Sequence, residues 1–146
     1  MDPHIITDDI KRALKSPKVN EAFFDVLDWA TLPAGKLFRP RLVLALAQDN
    51  DGEIDINHRH LAVAIELHHA YTLVHDDLPA MDNDLIRRGK ASTHAQFGEW
   101  KAILAGDALL IQSFYELGQI KSDSLPELLK TGERSRDASK RFRQRP

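Results

Sequence analysis

Apolar side chains recur along most of the chain at helical spacing, and no useful stretch shows the alternation of a half-buried strand. The pattern predicts a first helical region with Thr7 as its N-cap, interrupted or restarted near Pro17. A second helix is predicted over the apolar run at residues 41–48, and a third over residues 57–75 with Asn57 as its N-cap. The third helix is apolar on most of its circumference, which predicts a central position in the fold.

Two more helices are predicted after a polar loop. Residues 93–96 have the spacing of a capping box, which predicts a fourth helix that ends at Gly118. A second such spacing at residues 124–127 predicts a fifth helix. The fold class predicted is therefore all-α, a bundle of about five helices. Its main domain is expected to span residues 1–122, followed by a short helix and a basic, partly disordered tail over residues 123–146.

Composition and charge narrow the class of protein. The 146 residues include 20 basic and 22 acidic side chains and no cysteine, which is typical of one globular domain and excludes disulfides and thiolate metal sites. No apolar run approaches the roughly 20 residues that span a bilayer, and the N-terminus lacks a secretory signal, so a cytoplasmic location is expected. Residues 130–146 carry seven basic and two acidic side chains. Without interleaved aromatic residues or a binding motif, they do not predict a nucleic-acid partner.

The segment most informative about chemistry is an acidic run at the C-terminal end of the central helix. Four acids stand there within nine residues, at Asp76, Asp77, Asp82 and Asp84. The negative end of the helix dipole disfavours each carboxylate by about 0.3–1 kcal/mol. Mg²⁺ reverses that preference, because it binds one or two carboxylates together with waters and phosphate oxygens. A solvated acidic turn is the alternative, since aspartate and asparagine are common in turns.

Basic residues stand on both sides of this run. Arg87 and Arg88 follow it within a few positions, while Lys36 and Arg39 stand at the start of the second predicted helix. Because helix N-termini favour anions over cations, bases at that place indicate diphosphate ligands better than structural charges. Two exposed surface bases are the alternative interpretation.

Four segments together resemble the N-terminal half of a trans-isoprenyl diphosphate synthase. They read GKLFRP at 35–40, ELHHAYTLVHDDLPAMD at 66–82, RRGK at 87–90 and ILAGDAL at 103–109. Their order and spacing also match, from about residue 5 to about residue 120. The acids have the form of the first aspartate-rich motif in bacterial farnesyl and geranylgeranyl diphosphate synthases.

The resemblance implies a Mg²⁺-dependent trans-prenyltransferase, which ionises an allylic diphosphate and joins it to isopentenyl diphosphate. By position, Asp76, Asp77 and Asp82 are the implied catalytic acids, which bind Mg²⁺ and through it the allylic diphosphate. Five bases match the family's diphosphate ligands: Lys36, Arg39 and His69 for isopentenyl diphosphate, and Arg87 and Arg88 for both diphosphates. Tyr71 and Thr72 match the positions that limit product length, and the bulk of Tyr71 implies a product of about farnesyl size.

The resemblance also implies that part of the site is missing. The family is about twice this length, and its second half supplies another aspartate-rich motif, a metal-bridging lysine and the facing wall of the cavity. None of these follows residue 120, although residues 130–132 resemble a Lys-Thr-Gly segment of that half. We therefore expect a truncated synthase whose site is completed by oligomerisation, with a homodimer as the expected partner arrangement. A non-catalytic isoprenoid-diphosphate binding or partner protein, and a decayed gene product, are the alternatives left open.

Overall fold

Helices make up nearly all of the regular structure in the computed structural model, which describes residues 3–15, 21–51 and 53–121. The helices in these ranges are α1 (Pro3–Leu14), α2 (Glu21–Thr31), α3 (Phe38–Asp51), α4 (Ile56–Asp76), α5 (Thr93–Phe97) and α6 (Glu99–Gly118). A two-stranded antiparallel hairpin of β1 (Ile86–Arg87) and β2 (Lys90–Ala91) lies between α4 and α5. The predicted all-α fold is confirmed. The predicted fifth helix and the basic tail lie outside the described residues.

Helix α4 lies at the centre of the fold, as predicted, and packs against α1, α2, α3 and α6. Its buried residues are Ala62, Val63, Ala64, Glu66, Leu67, Ala70 and Val74. They join one core with apolar side chains of the neighbouring helices, among them Ile6, Ile10, Leu27, Leu44 and Leu109. Each fully buried leucine or isoleucine contributes about 1.5–3 kcal/mol. Within the described ranges, no helix combines the length and apolar character needed to cross a membrane.

Two predicted N-caps are wrong. Thr7 lies inside α1, which begins four residues earlier at Pro3, where the fixed φ of proline suits a first helical turn. Helix α4 is capped by Asp55 instead of Asn57: the Asp55 carboxylate accepts from the amide of His58 at 2.9 Å, and the His58 ring accepts from the amide of Asp55 at 3.2 Å. Histidine thus fills the place that glutamate or glutamine takes in the usual capping box.

The predicted fourth helix is divided into α5 and α6. Gly98 separates them with φ 90° and ψ 157°, a conformation that side chains other than glycine rarely adopt. The residue before α5, Ser92, caps it without a side-chain hydrogen bond to a backbone amide, and its hydroxyl lies 3.0 Å from Nδ1 of the His94 ring instead. The capping box predicted from residues 93–96 is therefore wrong. In the first region, α1 and α2 are separate helices, and Pro17 lies outside the described residues.

The hairpin is anchored to the end of α2 by Lys90. Its ammonium donates to the carbonyl oxygen of Trp29 at 2.5 Å, donates also to that of Leu32, and lies 4.4 Å from the centroid of the Trp29 ring. The Trp29 indole in turn donates to the carbonyl oxygen of Ala91 at 3.1 Å. A cation is favoured at the C-terminal end of a helix. Lys90 is thus a structural cation, although it belongs to the basic segment that resembles a diphosphate-binding motif.

Replacing Lys90 with methionine is expected to lower the free energy of unfolding by about 1.5 kcal/mol, because two carbonyl oxygens lose a charged donor. Urea unfolding followed by circular dichroism measures the change. Lys101→Met is the matched control, since Lys101 lies 5.4 Å from the Trp100 ring but makes no such carbonyl bond within the described part of the chain. Equal losses in the two variants would contradict this role of Lys90.

Candidate functional site

The acidic segment folds back over the end of α4. The amide of Asp82 donates to the carbonyl oxygen of Asp76 at 2.8 Å, and the amides of Met81 and Asn83 donate to that of Leu78 at 2.9 and 3.1 Å. The first of these bonds uses the carbonyl group of the last residue of α4, which has no intrahelical partner. The turn therefore brings residue 82 next to residue 76, although six positions separate them along the chain.

Asp77 is buried and bound to Arg87 of β1. Its side chain is 3% exposed, and both carboxylate oxygens lie 3.1 Å from Nε of Arg87, with a second contact from Nη2. The same guanidinium also donates to Asp84 at 3.1 Å. The hydrogen bonds with Asp77 raise the pKa of Arg87. The Asp77 carboxylate is thus directed into the protein, away from a ligand on the surface.

Asp76 and Asp82 differ from Asp77 in this respect. Within residues 3–15, 21–51 and 53–121, neither side chain makes a hydrogen bond or an ion pair, and Asp76 is half-buried while Asp82 is exposed. The same part of the chain has no group of three or more acidic or histidine side chains that could hold a metal ion. The three predicted metal ligands are therefore not gathered into one cluster. Two carboxylates nevertheless suit Mg²⁺, which takes its remaining ligands from waters and phosphate oxygens.

Lys36 and Arg39 lie at the start of α3, as the sequence indicates. Between them, Leu37 has φ 49° and a side chain that is only 6% exposed. It anchors the loop to the core and leaves both basic side chains exposed. Neither base forms a hydrogen bond or an ion pair with the residues that the structure describes. Two unneutralised cations at a helix start are available to an anion.

Arg88 joins three parts of the fold. It occupies the hairpin turn with φ 54°, followed by Gly89 with φ 77°, as a two-residue turn with positive φ at both positions requires. Its guanidinium donates to the carbonyl oxygen of Pro33 at 3.2 Å and lies 3.9 Å from the buried carboxylate of Glu66. A methyl group built at Gly35 would lie 3.3 Å from the same guanidinium. The hairpin thus places Arg88 over the loop that carries Lys36.

Glu66 and His69 lie one helical turn apart on α4, on the side that faces Arg39 and Arg88. Burial raises the pKa of Glu66, and the charges of Arg88 and Arg39 oppose that rise. Burial lowers the pKa of His69, and the same two arginines lower it further. These surroundings therefore favour the neutral imidazole of His69, which has one ring N–H to donate. Glu66 was not predicted as a site residue from its sequence, although a charged residue in an apolar helix was an available signal.

Replacing Glu66 with glutamine is expected to stabilise the protein at pH 8, with a gain that disappears near pH 4. The pKa of Glu66 is raised in the folded state above its unfolded value of about 4.5. The folded wild type therefore loses stability as the pH rises above that value, whereas glutamine carries no charge to bury. Urea midpoints at pH 4, 6 and 8 measure the difference, with Glu53→Gln as an exposed control. A difference that does not vary with pH would count against this interpretation.

Tyr71 and Thr72 are half-buried, one turn before Asp76. The Tyr71 ring contacts His68 and His75 edge to face, with centroids 5.0 and 5.4 Å apart. The Thr72 hydroxyl donates to a carbonyl oxygen of its own helix at 2.8 Å. Tyr71 is therefore the bulkier and more firmly packed of the two, and the limiting of product length by these residues stays a prediction.

A family model and the curated relatives of this chain point to the same family of proteins. Residues 20–136 match the sequence model of the polyprenyl synthetase family. The farnesyl diphosphate synthase of Geobacillus stearothermophilus is 46% identical over 94 residues, which are 63% of this chain and 31% of that protein. The geranylgeranyl diphosphate synthase of Cyanophora paradoxa is 41% identical over 111 residues, which are 75% of this chain and 36% of that protein.

Solved structures agree in fold. A crystal structure of an isoprenoid synthase family member from Thermotoga neapolitana superposes with a TM-score of 0.79 at 36% identity, covering 88% of this chain and 50% of that one. Geranyltranstransferase from Thermotoga maritima gives a TM-score of 0.74 at 34% identity, covering 88% and 49%. The chain spans about a third of the length of the curated relatives and about half of these solved chains. Because the family model matches most of this chain and the fold matches as well, the chain belongs to the polyprenyl synthetase family.

Proposed function

We propose that the chain binds an allylic isoprenoid diphosphate through Mg²⁺ held by Asp76 and Asp82, and that it forms one side of a prenyltransferase site. The observation that carries this proposal is the contrast among the three aspartates. Asp77 is buried against Arg87, whereas the other two carboxylates make no bond within the described residues and are linked through the backbone bond from residue 82 to residue 76. Two such carboxylates suit a cation that a diphosphate helps to hold.

The bases around this pair suit the phosphate groups. Arg87 is held by Asp77 and Arg88 by the loop before α3, so both guanidinium groups have fixed positions before any anion binds. Lys36 and Arg39, with His69, form a second group suited to the diphosphate of isopentenyl diphosphate. Mg²⁺, when bound, would stabilise the negative charge of the departing diphosphate. The substrate class is taken from the farnesyl and geranylgeranyl diphosphate synthases among the relatives. The bulk of Tyr71 favours a short product, of about farnesyl size.

Calorimetric titration of the full chain with geranyl diphosphate, in Mg²⁺ and then in EDTA, tests the proposed binding. We expect binding in Mg²⁺ that EDTA weakens at least tenfold, and equal binding in both buffers would refute the metal-bridged site. Incubation with Mg²⁺, geranyl diphosphate and isopentenyl diphosphate, followed by product analysis, separates the two functions. A prenylated product identifies a prenyltransferase, whereas binding without product identifies the alternative, a non-catalytic isoprenoid-diphosphate binding protein.

The proposal includes a homodimer that pairs through α6. Five large apolar side chains on this helix are 44–70% exposed, namely Trp100, Ile103, Leu104, Ile111 and Phe114. Their spacing of three, four or seven residues places them along one side of the helix. Soluble proteins rarely leave more than a few hundred Å² of contiguous apolar surface in water, and a two-fold axis lets the same surface cover itself.

Light scattering behind size exclusion, at micromolar concentration, is expected to give about twice the chain mass of 16.5 kDa. Ile111→Glu is expected to shift the protein to monomer, because it places a charge on the proposed interface. Leu42→Glu, which changes an exposed leucine of α3 in the same way, is expected to leave the dimer intact. A wild-type monomer would refute the pairing, and with it catalysis by a paired site.

A further inference from the structure

Helices α4 and α6 meet at a histidine next to the acidic segment. Nε2 of His75 lies 3.1 Å from the carbonyl oxygen of Ile103 and 3.9 Å from the carboxylate of Asp107. Because a carbonyl oxygen only accepts hydrogen bonds, Nε2 carries the proton and donates it. The ring also contacts Tyr71 edge to face. His75 is thus held by hydrogen bonding to α6 and by packing on its own helix.

Gly106 provides the space for this ring. A methyl group built at Gly106 would lie within 2.9 Å of three atoms of the His75 imidazole, closer than side chains pack. Gly106 lies in the middle of α6, where glycine is a poorer helix former than alanine, and its φ is not positive. No turn at this point requires a glycine. The close approach of the His75 ring is what excludes a side chain.

The contact of His75 with α6 fixes one side of the last turn of α4. Successive residues of a helix point about 100° apart. His75 points to α6 and Asp77 points to Arg87 of β1, so the residue between them has its direction set from both sides. We infer that His75, seated on Gly106, is a positioning residue that fixes the carboxylate of Asp76 toward the proposed metal. This inference rests on the proposed function, because it is Mg²⁺ binding that gives the direction of Asp76 its importance.

Loss of the His75 ring is expected to affect the binding of metal and the binding of a metal-free anion differently. Without the ring, the end of α4 keeps its backbone bonds and its ion pair to the hairpin but loses its side-chain bond to α6, so the Asp76 carboxylate is less firmly held toward Asp82. Residues hydrogen-bonded to metal ligands typically change metal affinity by about 10- to 100-fold, and His75, which acts on Asp76 through the helix backbone, is expected to have an effect at the lower end of that range. Lys36 lies in the loop before α3 and Arg39 in α3, so their positions do not depend on the contact between His75 and Gly106. Loss of His75 is therefore expected to weaken metal-dependent binding and to leave metal-free anion binding unchanged.

The experiment is a double-mutant cycle of His75→Ala, Gly106→Ala and the two together in the full chain. Gly106→Ala alone is expected to lower Tm by at least about 5 °C, because its methyl group overlaps the ring. In the His75→Ala background the same change is expected to be neutral or stabilising, since alanine then has space and favours the helix. Gly118→Ala is the matched control on the same helix, because no atom lies within 4 Å of its added methyl group. Equal effects of Gly106→Ala in both backgrounds would overturn the contact.

Calorimetry with inorganic pyrophosphate, in Mg²⁺ and in EDTA, separates positioning from stability. The double variant is expected to regain most of the wild-type Tm, to bind pyrophosphate in Mg²⁺ about tenfold more weakly than wild type, and to bind it equally in EDTA. Wild-type affinity in Mg²⁺ would overturn the positioning role and leave the proposed function standing. A wild type without any EDTA-sensitive binding would instead refute the proposed function, and the positioning of Asp76 with it.

Discussion

Replacing Asp77 with asparagine is expected to lower the free energy of unfolding by about 3 kcal/mol. Removing one partner of a buried ion pair typically costs about 3–5 kcal/mol, because the remaining charge loses its partner without regaining water. The lower end applies here, since the Asp77 side chain is 3% exposed but that of Arg87 is 33% exposed and partly solvated. The loss is expected in EDTA as well as in Mg²⁺, because the ion pair with Arg87 supports the fold whether or not metal is bound.

Asp84→Asn is the control for this prediction. Asp84 contacts the same guanidinium as Asp77 does, but its side chain is 54% exposed and lies at the surface. Exposed pairs contribute about 0–1 kcal/mol, so the control is expected to change the unfolding free energy by less than about 0.5 kcal/mol. Urea unfolding of both variants at pH 7 measures the comparison. An equal loss of unfolding free energy in the two variants would refute the structural role of Asp77. So would an Asp77→Asn variant that is as stable as wild type.

The different roles of neighbouring aspartates mark the limit of what the sequence alone predicts. The apolar periodicity of residues 57–75 predicts a central helix, because burial on most sides requires apolar residues on most sides. The same pattern contains no information on the direction of each acid that follows. Asp77 is buried because its partner, ten residues later, is carried back to it by a hairpin whose turn holds Arg88 and Gly89 at positive φ. That turn was not predicted from the sequence.

Capping and charge pairing were mispredicted or missed for a related reason. Asp55 and Asn57 are both good N-caps by residue type, and only the path of the chain into α4 decides which side chain reaches the first free amide groups. Lys90 and Arg88 stand two positions apart in one basic segment, yet one binds carbonyl groups at the end of α2 and the other lies beside Glu66. The residue types of a charged segment are visible in the sequence, whereas the partner of each charge depends on tertiary packing.

The double variant Asp76→Asn/Asp82→Asn is expected to weaken the binding of geranyl diphosphate in Mg²⁺ by about 100-fold or more. In proteins Mg²⁺ is usually held by one or two carboxylates, and asparagine removes the negative charge of both. The variant is expected to unfold at a similar urea concentration to wild type, because neither carboxylate makes a hydrogen bond or ion pair within the described residues. Calorimetry measures the affinity, and Asp8→Asn/Asp25→Asn is the control that removes the same charge from two exposed aspartates elsewhere.

In EDTA the sign of the effect is expected to reverse. Without metal, the carboxylates of Asp76 and Asp82 repel a diphosphate that approaches Arg87 and Arg88, so their removal strengthens anion binding. In Mg²⁺ the wild type should therefore bind geranyl diphosphate more tightly than the double variant does. In EDTA the double variant should bind it more tightly than the wild type does. A nonspecific loss of structure cannot produce such a crossover, because it would weaken binding in both buffers. Parallel losses in both buffers, or unchanged binding in Mg²⁺, would show that these two aspartates do not hold the metal.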